Sequence, residues 1–181
     1  YTCSTSSALI ASIGTKVAAY ILFRVLLDLF QVGDSDAVQS ILTILGILAG
    51  LGILYGSFMA ILQSELKRML AYSSVSQIGY IILGLSLANP MGFAGAILHI
   101  LNHAVMKGCL FMVAGNLRYY EGTTDVETID DSTQKKYPVS SLAFAVSAIS
   151  MIGLPPLAGF FSKWYLALGT IENRSWGLLV I

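Results

Sequence analysis

Ser150-Met-Ile-Gly153-Leu-Pro155-Pro156-Leu-Ala-Gly159-Phe-Phe-Ser-Lys163 lies inside an apolar stretch that runs over residues 138–170. A straight bilayer span needs only about 20 apolar residues in helical form, so this stretch is too long for one. Two consecutive prolines flanked by Gly153 and Gly159 break a helix at this point. A broken helix at membrane depth leaves backbone groups unpaired. It survives only where protein or a wet cavity surrounds it, and in transporters it often marks a binding or conduction site.

Working outward, four more stretches match the length of a span, over residues 8–30, 38–63, 70–88 and 91–116. The expected fold is therefore all-α and integral to the membrane. It has five transmembrane helices in a single domain over residues 1–181, the last helix broken at Pro155-Pro156. A tight Asn89-Pro90 turn and a polar loop over residues 117–137 separate the later spans. Composition agrees, since hydrophobic residues make up 56% of the chain against 11% charged. Ten basic and ten acidic residues cancel, so nothing argues for a nucleic-acid partner. Cys3 and Cys109 are too few for a disulfide framework and read as free thiols. The chain starts without Met and stops inside a fresh apolar run, as a piece of a longer membrane protein would.

If the helices alternate in direction, Lys67, Arg68, Arg118, Lys135 and Lys136 share one side. The other side carries Arg174 with Asp28, Asp34 and Asp36. Positively charged loops favour the cytoplasm, which places the Lys67 loop there.

Three lysines fall within apolar spans: Lys16, Lys107 and Lys163. A charge at the bilayer centre costs about 2.5–3.5 kcal/mol on insertion scales, although a lysine can also snorkel to the interface. His99-Ile-Leu-Asn-His103-Ala-Val-Met-Lys107 is the densest constellation. Residues four apart share a helical face, so these three form one polar stripe suited to a proton relay. The blander alternative is that each histidine bonds a nearby carbonyl and only packs. A zinc site is weaker, because Ile100 stands where a zincin helix has glutamate and no third ligand is near. No Asp or Glu lies in a span interior, so carboxylate partners for the lysines would come from outside this segment. Tyr72, Ser73, Ser74, Ser76 and Gln77 bring hydroxyls and an amide that bridge helices or line a wet path. No cysteine cluster or glycine-rich nucleotide loop is present, so no cofactor and no catalytic redox site is expected in this chain.

Leu66-Lys-Arg-Met-Leu-Ala-Tyr-Ser-Ser-Val-Ser-Gln-Ile-Gly-Tyr80, the His99–Lys107 stripe, and Gly153 through Lys163 follow one another in order. With Thr15-Lys16-Val-Ala-Ala-Tyr20, they closely resemble the antiporter-like membrane subunits shared by respiratory complex I, Mrp-type Na⁺/H⁺ antiporters and membrane-bound hydrogenases. The resemblance implies a larger bundle of two inverted five-helix repeats, of which this chain would be the last helix of the first and most of the second. It also implies a place in a bacterial or archaeal cell membrane beside other membrane subunits, with H⁺ or Na⁺ as the translocated ion. Lys16 would be the lysine joining two half-channels. His99, His103 and Lys107 would belong to the central polar axis, and Lys163 to the broken helix that gates ion passage. Related subunits can carry glutamate at the Lys163 position. Outside the family, the rival readings are a structural subunit whose lysines never titrate and an intramembrane hydrolase that binds metal through His99 and His103.

Overall fold

The computed structural model describes residues 4–28, 36–129 and 131–179. Cys3, Asp34, part of the link after the first span and the last two residues lie outside them, as does the side chain of Asp28.

The regular elements of the described residues are all helices. The first span is composite: α1 (Ser4–Leu9), a π-helical turn (Ile10–Gly14) and α2 (Thr15–Asp28) run on from one another. Then come α3 (Asp36–Ile61), α4 (Leu66–Ser86) and α5 (Pro90–Glu121). A short α6 (Asp131–Lys136) precedes α7 (Pro138–Ile152), α8 (Ala158–Glu172) and the terminal α9 (Trp176–Leu179). At 1.5 Å per residue, 26 residues make α3 about 39 Å long, enough to cross a bilayer. Four helices qualify as spans by length and hydropathy: Ser6–Leu26, Asp36–Ile61, Leu66–Ser86 and Pro90–Glu121. The fifth apolar stretch is divided into α7 and α8, of 15 residues each.

The division has local causes. Gly153 caps α7 in the left-handed region at φ 94°, which a side chain would resist. Its N–H bonds the carbonyls of Ile149 and Ser150, both at 3.1 Å. Leu154, Pro155, Pro156 and Leu157 then cross to α8, with a cis bond between the prolines. Gly159 brings α8 against the end of α7: a Cβ there would sit 1.7 Å from the Ser150 carbonyl oxygen, so only glycine fits. The break expected at Gly153, Pro155, Pro156 and Gly159 is present.

The Asn89-Pro90 turn is also as expected. Asn89 caps α5 by accepting from Gly92 N at 2.7 Å, and Pro90 occupies the first helical position. The amide of Asn89 donates to the Gly169 carbonyl at 2.7 Å and so ties this cap to the far end of α8.

The polar loop expected over 117–137 is shorter than that. Buried Leu117 lets α5 continue to Glu121, ending on left-handed Gly122 at φ 74°, and α6 takes residues 131–136. Lys135 and Lys136 close α6 in its last turn, where cations suit the helix dipole. What remains of the loop folds back onto the start of α4. Leu66 N donates to the Thr124 carbonyl at 2.8 Å and Val126 N to that of Ser64 at 2.9 Å. Lys67, Arg68, Arg118, Lys135 and Lys136 are thereby gathered at one end of the bundle.

Candidate functional site

The site is built on α5, which runs through the bundle packed against α4, α7 and α8. His99, His103 and Lys107 recur every four residues and face inward; each is 0% exposed. No other three ionisable side chains of the described residues are so completely enclosed.

His99 is fully engaged. Its Nε2 lies 2.9 Å from Gln77 Oε1 on α4, and its Nδ1 lies 3.0 Å from Ser162 Oγ on α8. Ser162 is itself 0% exposed and reaches back to the Gly159 carbonyl at 3.0 Å. The ring of Tyr80 stands beside that of His99, 5.9 Å between centroids.

His103 is the opposite case. Its ring stacks on His99 at 6.0 Å, yet both of its nitrogens are buried without a hydrogen-bond partner among the described residues. A buried imidazole is rarely left so, because an unsatisfied polar group typically costs about 1–3 kcal/mol.

Lys107 turns toward α4. Its ammonium donates to the Leu70 carbonyl at 2.6 Å and to Ser73 Oγ at 2.5 Å. Lys16, 5% exposed, reaches back along its own helix to the Ala11 carbonyl inside the π-helical turn. That turn widens the helix one residue before α2 begins, a deviation often found where a helix carries function. Lys16 follows closely on that turn, which packs against α5.

Lys163 sits at the break. Its Nζ donates to the Ile152 carbonyl at 3.1 Å, the last residue of α7, and lies 4.9 Å above the ring of Tyr80. A cavity of about 200 Å³ opens beside it, lined by Tyr80, Leu83, Leu166, Ala167 and Thr170. That volume holds several waters at about 30 Å³ each.

Four of the five residues singled out from sequence therefore lie on one polar line. Lys163, Tyr80, His99 and His103 follow one another through space, with Lys107 one turn further along α5. Lys16 stands on the first span and bonds its own helix. No Asp or Glu of the described residues pairs with the three lysines; backbone carbonyls and a serine hydroxyl hold them. Nor do three His, Cys, Asp or Glu side chains gather in a metal-binding group among the described residues.

Gln77 and Ser73 do more than bridge α4 to α5, since they do so on His99 and Lys107. Their signal in the sequence was their place in an apolar span. Ser162 had only its position before Lys163 to mark it, and the part played by Tyr80 had no sequence signal.

A family model described as NADH:quinone oxidoreductase/Mrp antiporter, TM, matches residues 3–181. The NADH-quinone oxidoreductase subunit N of Desulforudis audaxviator is 46% identical over 181 residues, covering 100% of this chain and 36% of the relative. A Na⁺/H⁺ antiporter subunit of Alkalihalophilus pseudofirmus is 36% identical, covering 94% of this chain and 34% of the relative. The chain thus spans about a third of the length of these relatives. Among solved structures, a chain of the Mrp complex from Dietzia sp. DQ12-45-1b superposes with a TM-score of 0.89 at 27% identity, over 96% of this chain and 31% of that one. A chain of respiratory complex I from Thermus thermophilus with bound NADH gives 0.82 at 27% identity, over 96% and 36%.

Proposed function

Since this chain belongs to the NADH:quinone oxidoreductase/Mrp antiporter transmembrane family, we propose that its buried Lys/His line carries protons, or protons in exchange for Na⁺, across the membrane. The observation that carries this reading is His103: an imidazole 0% exposed, midway along the line, with neither nitrogen bonded to a described residue. Such a ring calls for a water or another polar partner at each nitrogen, and an imidazole bonded to water can take up and pass on a proton. Lys16 delivers to His103, His99 and Lys107 stand on either side of it, and Lys163 holds or releases the ion at the helix break. Because neighbouring cations repel, charging one site disfavours charge on the next, which couples the sites along the line.

The parent protein acts as an antiporter-like subunit of a redox-driven complex. In support, identity to an NADH-quinone oxidoreductase subunit is 46% against 36% for a Na⁺/H⁺ antiporter subunit. The higher TM-score to the Mrp complex favours the second reading, that of a cation/proton antiporter subunit. Backbone superposition reports the shared fold and sequence identity the subunit type, so the first carries more weight. Other membrane subunits are its partners, and the end bearing Lys67, Arg68 and Arg118 faces the cytoplasm.

The test is Lys163→Ala in the complete protein within its assembled complex, reconstituted into liposomes. Ion translocation is expected to fall at least tenfold, about 1.4 kcal/mol in the barrier, with assembly intact. Translocation at the unsubstituted rate would overturn the reading.

A further inference from the structure

Ser162 stands where two acceptors compete for one hydrogen. Its Oγ is 3.0 Å from His99 Nδ1 and 3.0 Å from the Gly159 carbonyl oxygen, and a hydroxyl has a single proton to give. The other ring nitrogen of His99 faces Gln77 Oε1, which only accepts, so Nε2 carries a proton whatever the state of the ring. In the neutral imidazole, Nδ1 is then bare and must accept. Ser162 is the group placed to donate to it, and the Gly159 carbonyl loses its hydroxyl partner. In the imidazolium, Nδ1–H donates to Ser162 Oγ, and the serine turns its own hydrogen to Gly159.

We propose that Ser162 couples the protonation of His99 to the broken helix, its hydroxyl hydrogen switching between His99 Nδ1 and the Gly159 carbonyl. The proton gained by the ring resides on Nδ1 and leaves from there; Ser162 keeps its own hydrogen and only reorients it. Gly159 is the residue that carries this event into the break. It lies in the first turn of α8, its backbone is pressed against the Ser150 carbonyl, and its N–H faces Ser150 Oγ at 3.4 Å. Lys163 follows Ser162 directly and is bound to the last carbonyl of α7. A change in how firmly the first turn of α8 is held therefore acts on the residue proposed to gate the ion. The titratable groups around His99 are His103 on its own helix, Tyr80 from α4, Lys163 from α8 and Lys16 from the first span. Ser162 is the one that touches both the ring and the break. Its role is to position and to couple, not to carry the ion. The proposal rests on reading the Lys/His line as an ion path.

The experiment is ¹⁵N and ¹³C solid-state NMR on the complete protein in its complex in liposomes, comparing the unsubstituted chain with Ser162→Ala and Ser162→Thr. In the unsubstituted protein, neutral His99 should carry its proton on Nε2 with Nδ1 as a hydrogen-bonded acceptor. The Gly159 carbonyl carbon should shift when acidification protonates the ring. In Ser162→Ala, that carbon should stay fixed while His99 titrates, and translocation should fall about tenfold, within the 5–150-fold range of typical coupling between sites. Ser162→Thr keeps the hydroxyl and should restore both. Neutral His99 protonated on Nδ1, or a Gly159 carbon that moves equally in Ser162→Ala, would overturn the proposal. Should the alanine variant fail to assemble, the unsubstituted spectrum and the threonine variant still decide it. Loss of transport in Lys163→Ala together with unaltered Ser162 variants would remove this coupling alone. Transport retained in Lys163→Ala would remove the ion path itself.

Discussion

His99 and His103 are the same residue type, one turn apart, on the same face of one helix and equally buried, yet they live in opposite environments. His99 is held from both sides, by Gln77 of α4 and Ser162 of α8. His103 stacks on the ring of His99 and has no hydrogen-bond partner among the described residues. The difference lies in what the neighbouring helices present. Near His99, close packing of α4, α5 and α8 supplies an amide and a hydroxyl; one turn along, no polar side chain of the described residues bonds the ring. One histidine thus ties three helices together, and the other, bonded to none of the described residues, is the one proposed to exchange a proton. A line of ionisable groups needs both, a frame that does not move and a site that is not committed.

That contrast can be broken at its support or at either ring. The largest effect is expected from Gly159→Val, whose Cβ would fall 1.7 Å from the Ser150 carbonyl. The crossing of α7 and α8 could not close, Ser162 would lose its place, and native gels should show little assembled complex. Assembly at the normal yield would contradict the packing described here. Next comes His99→Leu, which strands Gln77 Oε1 and removes the Ser162 bond. Interhelical hydrogen bonds in membranes average about 0.6 kcal/mol, and an unsatisfied buried group adds about 1–3 kcal/mol. Thermal unfolding of the complete protein should therefore report a loss of about 2–4 kcal/mol. A stability equal to that of the unsubstituted chain would mean that His99 is not the fixed member of the pair. The smallest effect on stability is expected from His103→Leu. It is similar in bulk and breaks no hydrogen bond between described residues, so unfolding should be unchanged or slightly raised.

Much of this was legible in the sequence because bilayers constrain sequences severely. Pro155, Pro156 and the flanking Gly153 and Gly159 cannot sit in a continuous helix, and the break follows from covalent geometry alone. The stripe His99–His103–Lys107 needs only the helical period. Other features depended on three-dimensional neighbours that no local pattern encodes. The π-helical turn at Ile10–Gly14 has no proline to announce it. The continuation of α5 to Glu121 follows from burial of Leu117, and α6 forms in an outwardly polar loop where it packs against α7 and buries Thr133. That Gln77 and Ser162 serve His99 rather than His103 is a matter of where α4 and α8 cross α5, which spacing along one chain does not determine.

The most direct test of the central claim uses the substitution that should leave the fold alone. His103→Leu in the complete protein, assembled in its complex and reconstituted into liposomes, should retain unsubstituted thermal stability while ion translocation falls at least tenfold, about 1.4 kcal/mol in the barrier. Translocation at the unsubstituted rate would show that the open histidine does not lie on the path.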